Sequence, residues 1–270
     1  MKIYIVTDLE GIAGVIDWEK RKDEGLPNTA KRQRYSRLLT GEVNAAIEGC
    51  FRGGASEVLV NDSHGSGYTI DYEILDKRAK IYHGFQRPGI MSALDGTFNA
   101  ALMIGAHAMA GTKGAVLYHT MSPDVRQIRI NGKPIGEIGI FALAAGTFGI
   151  PLVMLSGDTA ACLEAEKTIP GIVTAEVKKG LSRYSAVCLS KEKARELVLK
   201  NTIQALKKIK KIKPFVLKGP FTFQTDIFKG KEEDFIVSSP EKLPKRWKKE
   251  PLIKAKTAAE LLQKAWGREV

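Results

Sequence analysis

Four short, almost uninterrupted apolar runs limit what this chain can fold into: KIYIVT at 2–7, SEVLVND at 56–62, AALMIGA at 100–106 and PLVMLSGD at 151–158. A strand that is apolar at consecutive positions has no polar face to turn to water, so it must be covered on both sides. The segments between the runs carry helical spacing instead. Leu38, Leu39, Val43, Ala46, Ile47 and Cys50 repeat on one helix face, and Gly53-Gly54 supplies the stop. The apolar stretch IGIFALAAGTFG follows Glu137, and a further helix is expected around 160–167. Strand and helix in alternation predict an α/β fold, a mostly parallel central sheet flanked by helices. A short strand at 79–82, a glycine-bounded strand-like piece GAVLYHT at 114–120 and a hairpin through IRINGKPIGE, turning at Asn131-Gly132, complete this part.

Beyond residue 190 the texture changes. Residues 191–211 read as one long basic amphipathic helix, FVLKGPFTFQTDIF at 215–228 as strand-like, and the region near 256–266 as a final helix. The expected organisation is an α/β metal-binding catalytic region at 1–190 and a smaller basic α+β portion at 191–270, as two domains or as parts of one. With 270 residues and 44% hydrophobic content, either division leaves a sizeable core.

The net charge of +12 is concentrated at one end, because residues 191–270 hold 21 Lys and Arg against 10 Asp and Glu. The lysine runs at 207–211 and 245–249 could attract nucleic acid or an acidic surface. No nucleic-acid-binding motif accompanies them, so a solvated helix face and an exposed loop are the expectation. The three cysteines, Cys50, Cys162 and Cys188, are odd in number and form no CxxC pair, which points to reduced thiols. The apolar start reaches Asp8 too soon for a signal peptide, and no stretch approaches a membrane span. A soluble cytoplasmic protein is expected.

Chemistry concentrates in six residues. Asp8 and Glu10 stand two apart at the end of the first strand, a spacing that puts both carboxylates on one face. Two bare carboxylates that close repel each other unless a cation lies between them. His64, His107 and His119, three of only four histidines, follow short apolar runs, and Glu137 follows the hairpin. Sites on parallel sheets gather at the carboxyl ends of strands, where Asp8, Asp62, His64, His107 and Asp158 all fall. Two histidines and three carboxylates suit a pair of divalent ions, zinc first, with manganese or cobalt as alternatives. Asp8 is the natural shared ligand, which leaves His119 for proton transfer. There is no GxSxG elbow, no phosphate-binding loop, no GxGxxG after a strand and no cysteine beside a histidine segment.

At these residues the chain resembles the DppA-type zinc-dependent D-aminopeptidase family. The matching segments are KIYIVTDLEGIAG (2–14), EVLVNDSHG (57–65), GAH (105–107), YHTMS (118–122), INGKPIGEIG (130–139) and PLVMLSGD (151–158). The resemblance implies an α/β metallopeptidase subunit and a ring-stacked homodecamer enclosing the sites. It places five metal ligands on Asp8, Glu10, His64, His107 and Glu137, with Asp8 bridging two zincs, and the catalytic histidine on His119. The family's histidine is described as a nucleophile; an acid/base or electrophilic role, with a metal-bound hydroxide as attacking group, is chemically preferable. The implied reaction is release of N-terminal D-amino acids from short peptides or amides. Other binuclear hydrolysis, of an amide, lactone or phosphoester, is the alternative, and a non-enzymatic basic nucleic-acid-binding protein is the alternative from another class. Around His83 the sequence does not follow the family pattern closely, so that histidine inherits no role. Beyond about 215 the resemblance fades into a lysine-rich stretch at 229–256, a candidate for oligomer contacts or substrate access. The loop at 12–28 and the segment 122–127 are candidates for the pocket wall.

Overall fold

The apolar runs pair side by side. The computed structural model describes residues 1–19, 25–89, 91–237 and 240–266, without the side chains at 232 and 233. Its strands are β1 (Lys2–Thr7), β2 (Glu57–Asn61), β3 (Lys80–Tyr82), β4 (Ala100–Ala106), β5 (Val125–Ile130), β6 (Lys133–Pro134), β7 (Leu152–Asp158), β8 (Val173–Ser182), β9 (Ser185–Cys188), β10 (Phe221–Phe228), β11 (Trp247–Lys249) and β12 (Ile253–Ala255). Its helices are α1 (Leu26–Arg52), α2 (Glu137–Thr147), α3 (Thr159–Thr168), α4 (Lys191–Lys207), the single turn α5 (Glu232–Phe235) and α6 (Ala258–Trp266).

The large sheet has seven strands in the order β3-β2-β1-β4-β7-β8-β9, parallel throughout except for the last pair. The chain winds outward from β1 through β2 to β3, then returns to β4 on the other side of β1. The switch point of this doubly wound sheet therefore lies between β1 and β4, where such folds open a crevice. α1, between β1 and β2, packs on β2 and β4, while α2 packs on β4 and α3, and α3 on β7 and β8. α4 packs along α1 and against β8. Every residue of β4 and β7 is buried, as their continuous apolar sequences require.

A second, antiparallel sheet runs β11-β10-β5-β6, with β12 also on β10. Its central pair joins β5 to β10, and α6 packs on β10, β12 and α2, so segments on either side of residue 190 share both layers.

Some expectations need correction. Residues 114–120 form no strand; they run as a loop with one isolated bridge, Thr120 to Ser122. α1 begins at Leu26, inside the stretch read as loop, because its first turns are polar and lie on the surface with a proline in the opening positions. α4 ends at Lys207, ahead of a short 3-10 turn, and β10 starts at Phe221. β8 and β9 carried no apolar run: β8 alternates irregularly between buried and exposed positions near the sheet edge. The lysines of 207–211 and 245–249 are exposed. Cys50 and Cys162 are buried free thiols and Cys188 is a half-buried one. No helix among the described residues is long and apolar enough to cross a membrane.

One core carboxyl group carries a pH dependence. Glu42 of α1 is buried, accepts a hydrogen bond from the Ala13 amide at 2.9 Å, and leaves Oε2 without a hydrogen-bond partner. Burial pushes its carboxyl up to about 7 from an ordinary 4.5. The folded state thus holds a proton that the unfolded chain has released, and this contribution is lost as pH rises from the lower value to the higher. Glu42→Gln keeps an acceptor for Ala13 without the charge. It should gain roughly 2–3 kcal/mol over the wild type at pH 8 and almost nothing at pH 4.5, as read by urea unfolding at both pH values.

Candidate metal centre

The ends of β1 and β4 touch through backbone. The Asp8 amide donates to the Ile104 carbonyl at 2.8 Å and the Gly11 amide to the Gly105 carbonyl at 2.7 Å. Gly105 has φ of +83°, and a Cβ there would lie 2.0 Å from the Asp8 carbonyl oxygen. A Cβ on Gly11 would lie 2.0 Å from the Ala106 oxygen. Only glycine permits this approach. Behind the turn, the buried Lys178 ammonium donates to the carbonyls of Glu10, Ile12 and Val15, which ties the loop after Asp8 to β8. Asp8 and Glu10 on one strand end and His107 on the next are thereby held in register.

The other members arrive from separate elements. His64 follows β2 on a loop whose carbonyls at Asp62, Ser63 and Gly65 accept from the Arg87 guanidinium. Glu137 is the first residue of α2, where the helix dipole favours a carboxylate, and it accepts from the Met121 amide at 2.6 Å. His119 lies on the 114–120 loop, which is anchored in place of strand pairing. Asp158 accepts from the Val116 amide at 2.7 Å, and the Arg183 carbonyl accepts from Leu117 at 2.9 Å. Arg183 also donates to the Tyr118 carbonyl and stacks its guanidinium on the Tyr118 ring. Leu117 and Met121 both take positive φ, 48° and 66°, so the backbone beside His119 is strained. Asp62 and Asp158, also at strand ends, serve the backbone instead: Asp62 accepts from Thr69 and Ile70, and Asp158 caps α3. His83 pairs with Asp62 at 3.1 Å and packs between Tyr68 and Tyr72.

All six predicted residues come together. Asp8 Oδ1 lies 3.0 Å from His64 Nδ1, which is also 3.2 Å from Glu10 Oε2. Asp8 Oδ2 lies 3.3 Å from His107 Nε2, which is also 3.2 Å from Glu137 Oε1. His119 Nε2 stands 3.8 Å from the same Glu137 oxygen, and its ring stacks on His107 with centroids 4.0 Å apart. The ligand-capable atoms form two groups, Asp8-Glu10-His64 and His107-His119-Glu137, each with its atoms within 4.8 Å of one another. Asp8 faces both groups, one oxygen to each.

The charges are managed unequally. Burial, then Glu10, pushes the Asp8 carboxyl up to about 7. Burial works against ionisation of Glu10 and Glu137 as well, but His64 outweighs it at the first and His107 at the second, holding both below the usual carboxylate range. Burial likewise opposes a charge on His64 and His107, yet their carboxylate neighbours raise both. His119 goes the other way, pushed down to about 4 by burial and by His107. Its Nδ1 donates to the Leu117 carbonyl at 3.0 Å, so Nε2 carries the lone pair and points inward.

These residues fit a pair of divalent ions. Asp8 Oδ2, Glu10 Oε2 and His107 Nε2 are buried, and their contacts of 3.2–3.3 Å with other atoms of the site are not aligned as hydrogen bonds, which costs free energy unless an electrophile uses them. Imidazole and carboxylate together are a donor set for zinc, manganese or cobalt.

A cleft of about 510 Å³ opens over the site, walled also by Trp18, Glu19, Arg87, Ser122, Phe141 and Trp266. Trp18 sets its ring edge-on to His119 at 5.1 Å, and Glu19 lies 3.1 Å from His64 Nε2. Both lie in the 12–28 loop expected to line the pocket, whose residues 20–24 fall outside the described ones; Ser122 and Pro123 bear out the second expected segment. Arg87 was missed, since its segment has no periodic pattern to place it.

Three comparisons with known proteins point to one family. A family model described as D-aminopeptidase matches residues 1–240. A D-aminopeptidase of Bacillus subtilis (strain 168) is 40% identical over 215 residues, 79% of this chain and 77% of that protein. The solved structure of the Zn-dependent D-aminopeptidase DppA from Bacillus subtilis, described as a self-compartmentalizing protease, superposes with a TM-score of 0.85 at 33% identity, over 99% of this chain and 96% of that one. The likeness of fold therefore runs through the basic end, past the point where the sequence resemblance fades. The chain belongs to the D-aminopeptidase family of metal-dependent aminopeptidases.

Proposed function

We propose that this protein is a dinuclear zinc D-aminopeptidase that releases N-terminal D-amino acids from short peptides or amides. The observation that carries the reading is that one oxygen of Asp8 faces Glu10 and His64 while the other faces His107 and Glu137. Asp8, Glu10 and His64 would hold one ion, and Asp8, His107 and Glu137 the other. A bound zinc pair supplies Lewis-acid polarisation of the amide carbonyl and an activated water as nucleophile.

The chain's own residues do the rest. Burial and the neighbouring His107 hold the His119 imidazole below its ordinary range, and with Nε2 directed at the cleft it can take a proton from the attacking water and return it to the leaving nitrogen. With an activated water as the attacking group, the ring is left acid/base work and not nucleophilic attack. Trp18 and Phe141 wall the cleft with apolar surface and limit water around the reacting bond. We further propose a closed homo-oligomer, the decamer the resemblance implies. The self-compartmentalizing description of the related DppA structure supports it. Large exposed aromatics, Phe85 at 69% and Tyr72 at 66%, are surface that subunit contacts would cover.

D-alanyl p-nitroanilide should be turned over, the L-isomer at least about tenfold more slowly, with activity lost in chelator and restored by zinc. Undiminished turnover in chelator would remove the metal, and equal rates on both isomers would remove the stereochemical claim.

His119→Ala should lower kcat by roughly 10²–10⁴-fold while two zincs stay bound, measured by steady-state kinetics and metal analysis on the same sample. Loss of one zinc would make His119 a ligand instead. Asp8→Asn should weaken both ions and Glu10→Gln only one, as read by zinc stoichiometry after dialysis; a single loss in both variants would show that Asp8 is not shared.

A further inference from the structure

Each histidine of the centre turns one nitrogen inward and gives the other to an oxygen. His107 Nδ1 meets the Ala108 carbonyl at 3.0 Å, and His119 Nδ1 meets the Leu117 carbonyl at 3.0 Å. In both, Nε2 faces the carboxylates. His64 is reversed. Its Nδ1 faces Asp8 and Glu10, and its Nε2 lies 3.1 Å from Glu19 Oε2. Here the outer partner is a side-chain carboxylate and not a main-chain carbonyl.

Glu19 is itself braced. Its other oxygen, Oε1, accepts from Arg32 Nε of α1 at 2.9 Å, and its side chain is only 10% exposed. An imidazole that binds a metal through Nδ1 must carry its proton on Nε2, and a carboxylate at Nε2 favours that tautomer and fixes the ring plane. A carboxylate behind the ring also makes the inward nitrogen a stronger donor.

We propose that Glu19, held by Arg32, is the positioning residue that orients His64 toward the metal bound with Asp8 and Glu10. The inference rests on the two-metal reading above. It goes beyond that reading by assigning a role to a loop residue outside the ligand set, and by predicting that the two ions depend on Glu19 unequally.

Zinc affinity, not turnover, is the deciding measurement. Full-length protein stripped with chelator would be titrated with zinc against a chromophoric competitor, for the wild type, Glu19→Ala, Glu19→Gln and Arg32→Ala. Glu19→Ala should weaken one of the two zincs by about 10–100-fold and leave the other within about twofold. Glu19→Gln still accepts from Nε2 without the charge, so its loss should be smaller on the same ion, and that of Arg32→Ala smaller again. Circular dichroism and the urea midpoint of the metal-free variants should match the wild type.

Wild-type affinity for both zincs in Glu19→Ala would overturn the proposal. If KM alone rose, Glu19 would be a substrate contact in the cleft wall. Equal weakening of both ions would also overturn it, since that marks a general collapse of the site. A wild type that binds fewer than two zincs would refute the two-metal reading by itself, and Glu19 would then be judged on the remaining ion.

Discussion

The structure turns on the backbone contact between the ends of β1 and β4. Two glycines, Gly11 and Gly105, let main chains approach at distances that any Cβ would forbid, and the amide-to-carbonyl bonds between the loop and β4 lock the approach. Asp8 and His107 are neighbours because of it, at the switch point of a doubly wound sheet. Lys178 stabilises the turn from behind by donating to three of its carbonyls, those of Glu10, Ile12 and Val15. With this frame set, the loops bearing His64 and His119 and the start of α2 bearing Glu137 need only close over a fixed point.

That fixed point concentrates negative charge in a place water scarcely reaches. Three buried carboxylates would be prohibitively costly alone. Imidazoles beside them offset the cost: His64 and His107 are favoured in the charged form by the same neighbours that a divalent cation would satisfy. His119 sits one step further out, its imidazole held below its ordinary range by burial and by His107, on which it stacks, and this suits a group that moves protons more than one that compensates charge. The difference between two chemically identical side chains comes entirely from which neighbour each faces.

The sheet was legible because its strands are buried on both faces and therefore apolar without interruption. β1 and β4 fall where KIYIVT and AALMIGA place them. β8 was not legible, since a strand near the edge mixes Glu176, Lys178 and Lys179 with its apolar residues. The loop at 114–120 misled for the opposite reason. Ala115 to Tyr118 are buried and apolar like a strand, but Asp158 and Arg183 satisfy its backbone, not a neighbouring strand. Among the residues of the site, Asp8, Glu10, His64, His107, His119 and Glu137 were visible from residue type and strand-end position. Arg87 and the role of Glu19 were not, because neither stands in a pattern that sequence spacing can express.

The sequence by itself determined the α/β class, the edge of the sheet where the chemistry gathers and the six residues assembled there. These follow from local rules: hydrophobic period, turn residues and the scarcity of histidine. Only the tertiary structure decided the pairing of those residues, with one Asp8 oxygen to each group, the inward nitrogen of each imidazole and the partner behind it. Such choices depend on distances of about 3 Å between segments up to 99 residues apart, as between Asp8 and His107. No local pattern encodes them; the packing of β1 against β4 does.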